Sequence, residues 1–276
     1  MSDGAAKHLP RPRDVRLPSP PDQACHRRGR QDGTVQTVLD VLGQIWSAAT
    51  TPSDHPDLRL VLVTAAAALV VVAWRPSWSV VRHGVTTVHE AGHAVVALLT
   101  GRQLQGIRVH SDTSGLTVSK GRPRGPGMVA TTFAGYTAPA VVGFAAAYGL
   151  SRGYAVGVLW ALVLMAVFVL VMIRNWYGLW TVLVTLVALV GVTWWGSDGL
   201  RLGAAYAVVW LLLLGAPRAV VELQVQRRRR GATGSDADVL GRLTRTPGGL
   251  WVAIFALVTL AALAQGARWL APTLLP

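Results

Sequence analysis

Between residues 58 and 270 the chain is a succession of apolar runs, at 58–74, 79–100, 128–148, 155–173, 176–195, 202–223 and 250–270. Each holds roughly 17 to 22 residues, enough for a helix to cross about 30 Å of hydrocarbon. Lipid offers no partner to a backbone N–H or C=O, so such runs must satisfy those groups internally and fold as helices. The expected fold is an all-α polytopic membrane protein with about seven transmembrane helices. Composition agrees, since 52% apolar and 14% charged residues with a mean hydropathy of +0.42 are too apolar for an ordinary soluble domain. Trp74, Trp78, Trp176, Trp194, Trp195, Trp251 and Trp269 lie at or near run ends, where an indole meets both apolar and polar surroundings.

The second run contains His89-Glu90-Ala91-Gly92-His93, an H-E-x-x-H motif. On a helix, positions i and i+4 share a face, so His89 and His93 can offer imidazole nitrogens to one Zn2+ ion, with Glu90 one residue round as base for an attacking water. The motif arises by accident in roughly one in a hundred chains of this length, and more rarely in an apolar helix, where His and Glu are costly. The plain alternative is a helix whose histidines hydrogen-bond to neighbours. Cys25 is the only cysteine, which excludes an internal disulfide and a Cys-based cluster. A metal site here must use His and carboxylates.

Hydrolytic zinc needs a third protein ligand. Downstream of the motif stand only Asp112, Asp198, Glu222, Asp236 and Asp238. Asp112 belongs to a turn, and Asp198 falls on the far side of the membrane. Asp236 leads the remaining set, ahead of Glu222, with His110, Asp238 and Asp112 still open. Ordinary roles compete: Ser235 and Asp238 have capping-box spacing, Asp236 suits a helix start, and Glu222 is the i+4 partner of Arg218.

The formal charge of +13 is unevenly spread. Residues 1–57 hold seven Lys/Arg and seven Asp/Glu, so the whole excess lies in the membrane part. That pattern fits positive-inside loops and argues against a nucleic-acid partner. With seven crossings, thirteen Lys/Arg flank one set of loops and five the other. The amino terminus is then expected in the cytoplasm of a multi-pass plasma-membrane protein, with the carboxyl terminus outside. Two domains are expected: a cytoplasmic tail, 1–57, and a membrane domain, 58–276. Pro10, Pro12, Pro18, Pro20 and Pro21 mark residues 1–33 as disordered, and apolar spacing predicts a short amphipathic helix over 34–48. After the motif, alternation in 107–110 and 116–119 about Gly115 predicts a β-hairpin, either a plain loop or an edge for an extended substrate.

His89-Glu90-Ala91-Gly92-His93, Gly115-Leu116-Thr117, Ala134-Gly135-Tyr136, Arg174-Asn175-Trp176 and Ser235-Asp236-Ala237-Asp238 together resemble the site-2 protease family of zinc intramembrane metalloproteases. The closer resemblance is to its site-2-protease-like branch of actinobacteria and plants. It covers residues 89–238. The Leu-Asp-Gly segment that carries the acidic ligand in better-studied members is absent. The resemblance implies a zinc endopeptidase that cleaves the membrane-spanning segment of a protein substrate near the cytoplasmic face, with His89, His93 and Asp236 on the metal and Glu90 as catalytic base. Its partners would be that substrate and the lipid bilayer. The competing classes are a catalytically inactive protease-like protein and a metal-binding transporter. The other runs carry few of the repeated polar residues that transport would need.

Overall fold

A computed structural model of the chain describes residues 23–54, 56–230 and 234–271. Residues 1–22 of the expected tail lie outside the described residues. The elements in chain order are α1 (Gln23–Thr50), α2 (Leu58–Ala73), α3 (Arg75–Leu99), β1 (Gln103–Val109), β2 (Gly115–Lys120), α4 (Pro126–Ser151), α5 (Ala155–Met172), α6 (Trp176–Trp195), α7 (Asp198–Arg230), α8 (Asp236–Thr244) and α9 (Gly248–Leu270). The chain divides into two units, 1–45 and 46–276. In the first, helix begins at Gln23 rather than near residue 34, because no proline follows Pro21 until Pro52.

In the second unit every expected apolar run is helical. Helices α4, α5, α6, α7 and α9 are each long and apolar enough to cross a membrane alone. Helices α2 and α3 meet that condition only together, bent by 102°. The bend falls at Trp74, which is extended (φ −83°, ψ 123°), just before a first turn of α3 that contains Pro76. Pro76 has no N–H to offer the Val72 carbonyl, so the α2 ladder cannot run on through it, whereas proline fits a first turn, where its N–H is not needed.

The bent pair runs the length of the bundle once. Ser53 donates to the Gly153 carbonyl through both its amide and its hydroxyl, each at 2.9 Å, so α2 starts beside the α4–α5 turn. The other end of the pair meets the start of α4, where a Cβ on Gly127 would lie 3.2 Å from Thr100 Cβ. Since α4 spans the distance between these two places, α2 and α3 traverse it once, in the opposite sense. Counted as one span, the pair brings the described residues to six helical spans by length and composition, where about seven were expected. The segment before α2 shares an end of the bundle with the close of α9, where Trp269 packs on Phe144 and Tyr148 at 4.6 and 5.2 Å between ring centroids. The start of α2 thus lies at the end of the bundle away from the start of α4.

Helix α7 runs through the core, where Val209 and Leu213 are fully buried with Leu159 of α5. Strands β1 and β2 pair antiparallel, with an irregularity between Leu104 and Gly106. Ile107 and Val109 are fully buried. The second edge of β1 is taken by the segment after α5: Ile173 bridges Ile107 in parallel, and Arg174 N donates to Ile107 O at 2.8 Å. Gly106 has φ +149°, and a Cβ there would stand 2.3 Å from Arg174 Cγ, so the crowding requires glycine. Asn175 clamps Val109, accepting from its amide at 3.0 Å and donating to its carbonyl at 2.7 Å.

Candidate active site

His89, Glu90 and His93 occupy the fifth and sixth turns of α3, and α4 packs against the face that bears them. The packing is close because it is built on small residues: a Cβ on Gly92 would fall 2.4 Å from Ala138 Cβ and 2.8 Å from Ala134 O. His89 Nε2 and His93 Nε2 are 3.0 Å apart, and Asp236 Oδ2 is 3.2 Å from each. Among the described residues these three form the one group of His, Cys, Asp and Glu able to hold a metal ion, with one donor atom from each within 4.8 Å of the others.

The donor set fits a cation. His93 Nδ1 lies 2.7 Å from the Thr131 carbonyl oxygen, which fixes the proton on Nδ1 and turns the Nε2 lone pair inward. Two imidazole nitrogens and a carboxylate oxygen facing one point repel one another unless a positive charge stands between them. Ligands about 2.1 Å from a tetrahedral ion are separated by roughly 3.4 Å, close to the spacing found here. Gly135 supplies the space, since a Cβ there would lie 2.4 Å from His93 Nε2 and 2.7 Å from His89 Cε1. Tyr136 sets its ring edge-on to His89 at 4.7 Å and stacks on Phe255.

Asp236 reaches this depth because α8 is folded against the bundle. Its apolar face, Ala237 and Leu240, is fully buried with Val220, Leu223 and Phe255. The Ser235 cap forms as the spacing predicts: Asp238 N donates to Ser235 Oγ at 3.3 Å, and the hydroxyl donates to Asp238 Oδ2.

The other acids are engaged elsewhere. Glu222 accepts from Trp78 Nε1 at 2.7 Å, with Arg82 Nε at 3.2 Å and Arg218 Nε at 3.7 Å. Arg218 also donates to the Val72 carbonyl and covers the Trp78 ring. This network locks the α2–α3 bend to α7. Asp112 accepts from the Ser114 hydroxyl at 2.6 Å and amide at 3.0 Å, which hold its carboxyl below the usual range. His110 stands beside Ser114 in the same exposed turn.

Glu90 is buried, at 3% exposure. Its Oε2 accepts from Thr117 Oγ1 of β2 at 2.6 Å, and Gly115 leaves room for the carboxylate, since a Cβ there would fall 2.3 Å from Oε1. Residues 115–117, 135 and 175 stand within the motifs of the resemblance, but composition and periodicity assign them no role. Their use appears only when β2 and α4 close on α3.

No curated protein and no solved structure gives a match. The model of the Peptidase M50B-like family matches residues 62–266, a stretch that includes His89, Glu90, His93 and Asp236. Together with the apolar helices and a metal-competent cluster, this match establishes that the chain belongs to the Peptidase M50B-like family, membrane metallopeptidases of the site-2 protease type.

Proposed function

We propose that the protein is a zinc endopeptidase of the plasma membrane that cleaves a membrane-spanning segment of a protein substrate. The observation that carries this reading is the convergence of His89, His93 and Asp236 beside a buried carboxylate one position along the same helix. His89 Nε2, His93 Nε2 and Asp236 Oδ2 would hold the ion. When bound, zinc supplies a Lewis acid that acidifies water and polarises a carbonyl. Glu90 takes the proton of the attacking water and returns it to the leaving amine. Thr117, at 2.6 Å, holds Oε2 in place and leaves Oε1 to receive that proton.

A helical substrate hides its peptide bonds in its own hydrogen bonds and must unwind before attack. With β1 paired on both sides, the outer edge of β2 is the place for an extended segment to add as a strand, above Glu90. A cavity of about 900 Å³ along α3 gives apolar side chains somewhere to go; Val85, Val88, Thr113, Val169, Val182 and Leu211 line it. The basic loops on the hairpin side support a cytoplasmic position for the hairpin. The segment before α2 then lies outside, and cleavage falls near the inner face. The +13 charge belongs to these loops, so no nucleic-acid partner is proposed.

The test is Glu90→Gln in purified protein, with zinc content and cleavage of a membrane-spanning substrate both measured. The variant should retain zinc and lose cleavage, because an amide preserves the shape but cannot take a proton. Cleavage at the wild-type rate would reject the mechanism.

A further inference from the structure

Asp236 is carried by a nine-residue helix whose link to α7 passes through residues 231–233, outside the described residues. A carboxylate that ligates a metal has to be held to within a fraction of an ångström. The apolar face of α8 fixes which side packs inward, yet burial is non-directional and sets rotation and axial position only loosely.

The specific contact is Arg227 with Asp238. At the end of α7, Arg227 directs both Nε and Nη2 at Asp238 Oδ1, at 3.0 and 2.8 Å. Its Nη1 donates to Gln224 Oε1 at 3.2 Å, so the guanidinium is braced on its own helix. The second carboxylate oxygen of Asp238 is bonded to the Ser235 cap. A single side chain therefore closes the first turn of α8 and ties that turn to α7. Asp236 lies inside the closed turn, between the cap and its partner. The pair is sealed, with side-chain exposures of 13% for Arg227 and 7% for Asp238. Gly248, at the start of α9, completes the seal: a Cβ there would fall 2.6 Å from Arg227 Nη2 and 2.8 Å from Asp238 Oδ1. Three helices thus meet at one ion pair two residues from the metal-competent carboxylate.

We infer that Arg227 and Asp238 are positioning residues for Asp236, setting the metal affinity of the site without touching the ion. The inference rests on the reading of Asp236 as a ligand. Removing the partner of a buried charge leaves the other uncompensated, so α8 should rotate or lift rather than keep Asp238 buried alone. Partners of this kind affect metal affinity by about 10- to 100-fold.

Zinc affinity would be measured by chelator competition on the full-length protein in detergent, together with thermal unfolding of the zinc-free form. The variants are Arg227→Met, Arg227→Lys, Asp238→Asn and Asp236→Ala. Arg227→Met and Asp238→Asn should each weaken zinc roughly 10- to 100-fold, and Arg227→Lys, which keeps the charge but not the two-pronged contact, should fall between them and wild type. Zinc-free Arg227→Met and Asp238→Asn should also unfold at a lower temperature, because each leaves one buried charge unpaired, so zinc affinity is the deciding readout. If Arg227→Met fails to fold, Asp238→Asn and Arg227→Lys carry the test. Wild-type zinc affinity in Asp238→Asn and Arg227→Lys, with lowered thermal stability, would show the pair to be a structural tie and overturn the inference. Wild-type affinity in Asp236→Ala would instead reject the ligand reading beneath it.

Discussion

Thr117 of β2 donates its hydroxyl proton to Glu90 Oε2 at 2.6 Å, so the hairpin and the motif helix share one side chain. The bond restrains the carboxylate at a site where a rotation would carry it off the attacking water. Thr117→Val keeps the shape and removes the donor. It should lower kcat roughly 10- to 100-fold with KM and zinc content little changed. Steady-state cleavage beside metal analysis would show whether the loss is confined to kcat.

Gly135→Ala should empty the metal site. The added methyl would stand 2.4 Å from His93 Nε2 and 2.7 Å from His89 Cε1, so both rings must swing away from Asp236. The fold should survive, because the atoms that must give way are the far ends of two side chains rather than backbone. Zinc content near zero with an unchanged helical circular-dichroism spectrum is the expected pair of results.

Glu222→Ala should have the opposite profile. Its carboxylate serves Trp78, Arg82 and Arg218 at the α2–α3 bend, away from the metal-competent cluster. The loss leaves an indole N–H and a guanidinium without their acceptor and should cost about 1–3 kcal/mol. A lower Tm with full zinc content would separate Glu222 from the ligands, and zinc loss at an unchanged Tm would move the third ligand to α7.

Six crossings make a labelling pattern that seven do not. In a Cys25→Ser background, cysteines at Asp54 and Thr273 should react with an impermeant reagent from one side of the membrane, and a cysteine at Ser119 from the other. Labelling of residue 54 together with residue 119 would restore the seventh crossing.

The helix positions and the hairpin were readable from hydrophobic period, because burial in lipid and alternation along a strand leave marks on each run separately. His89, Glu90 and His93 were readable because one helix presents all three at fixed spacing. Asp236 emerged by elimination among few acids, helped by resemblance. The single crossing of α2 and α3 was not readable, since hydropathy records a run but not the place where its first residue docks, and the Ser53–Gly153 contact joins residues a hundred positions apart. Thr117, Gly135 and Arg227 escaped for a related reason. Each acts across a tertiary contact, on a residue of another element. The cap at Ser235 was visible in the spacing, but the second use of Asp238 was not, because its partner is on α7.

An even number of passes returns a chain to the side from which it set out. If α2 and α3 form one span, the segment before α2 and the close of α9 face one compartment, and on the proposed mechanism Glu90 acts on a bond nearer the other. Helix α2 turns through 102° straight into the helix that carries His89 and His93. The Glu222 contacts with Trp78, Arg82 and Arg218 fasten that turn to α7.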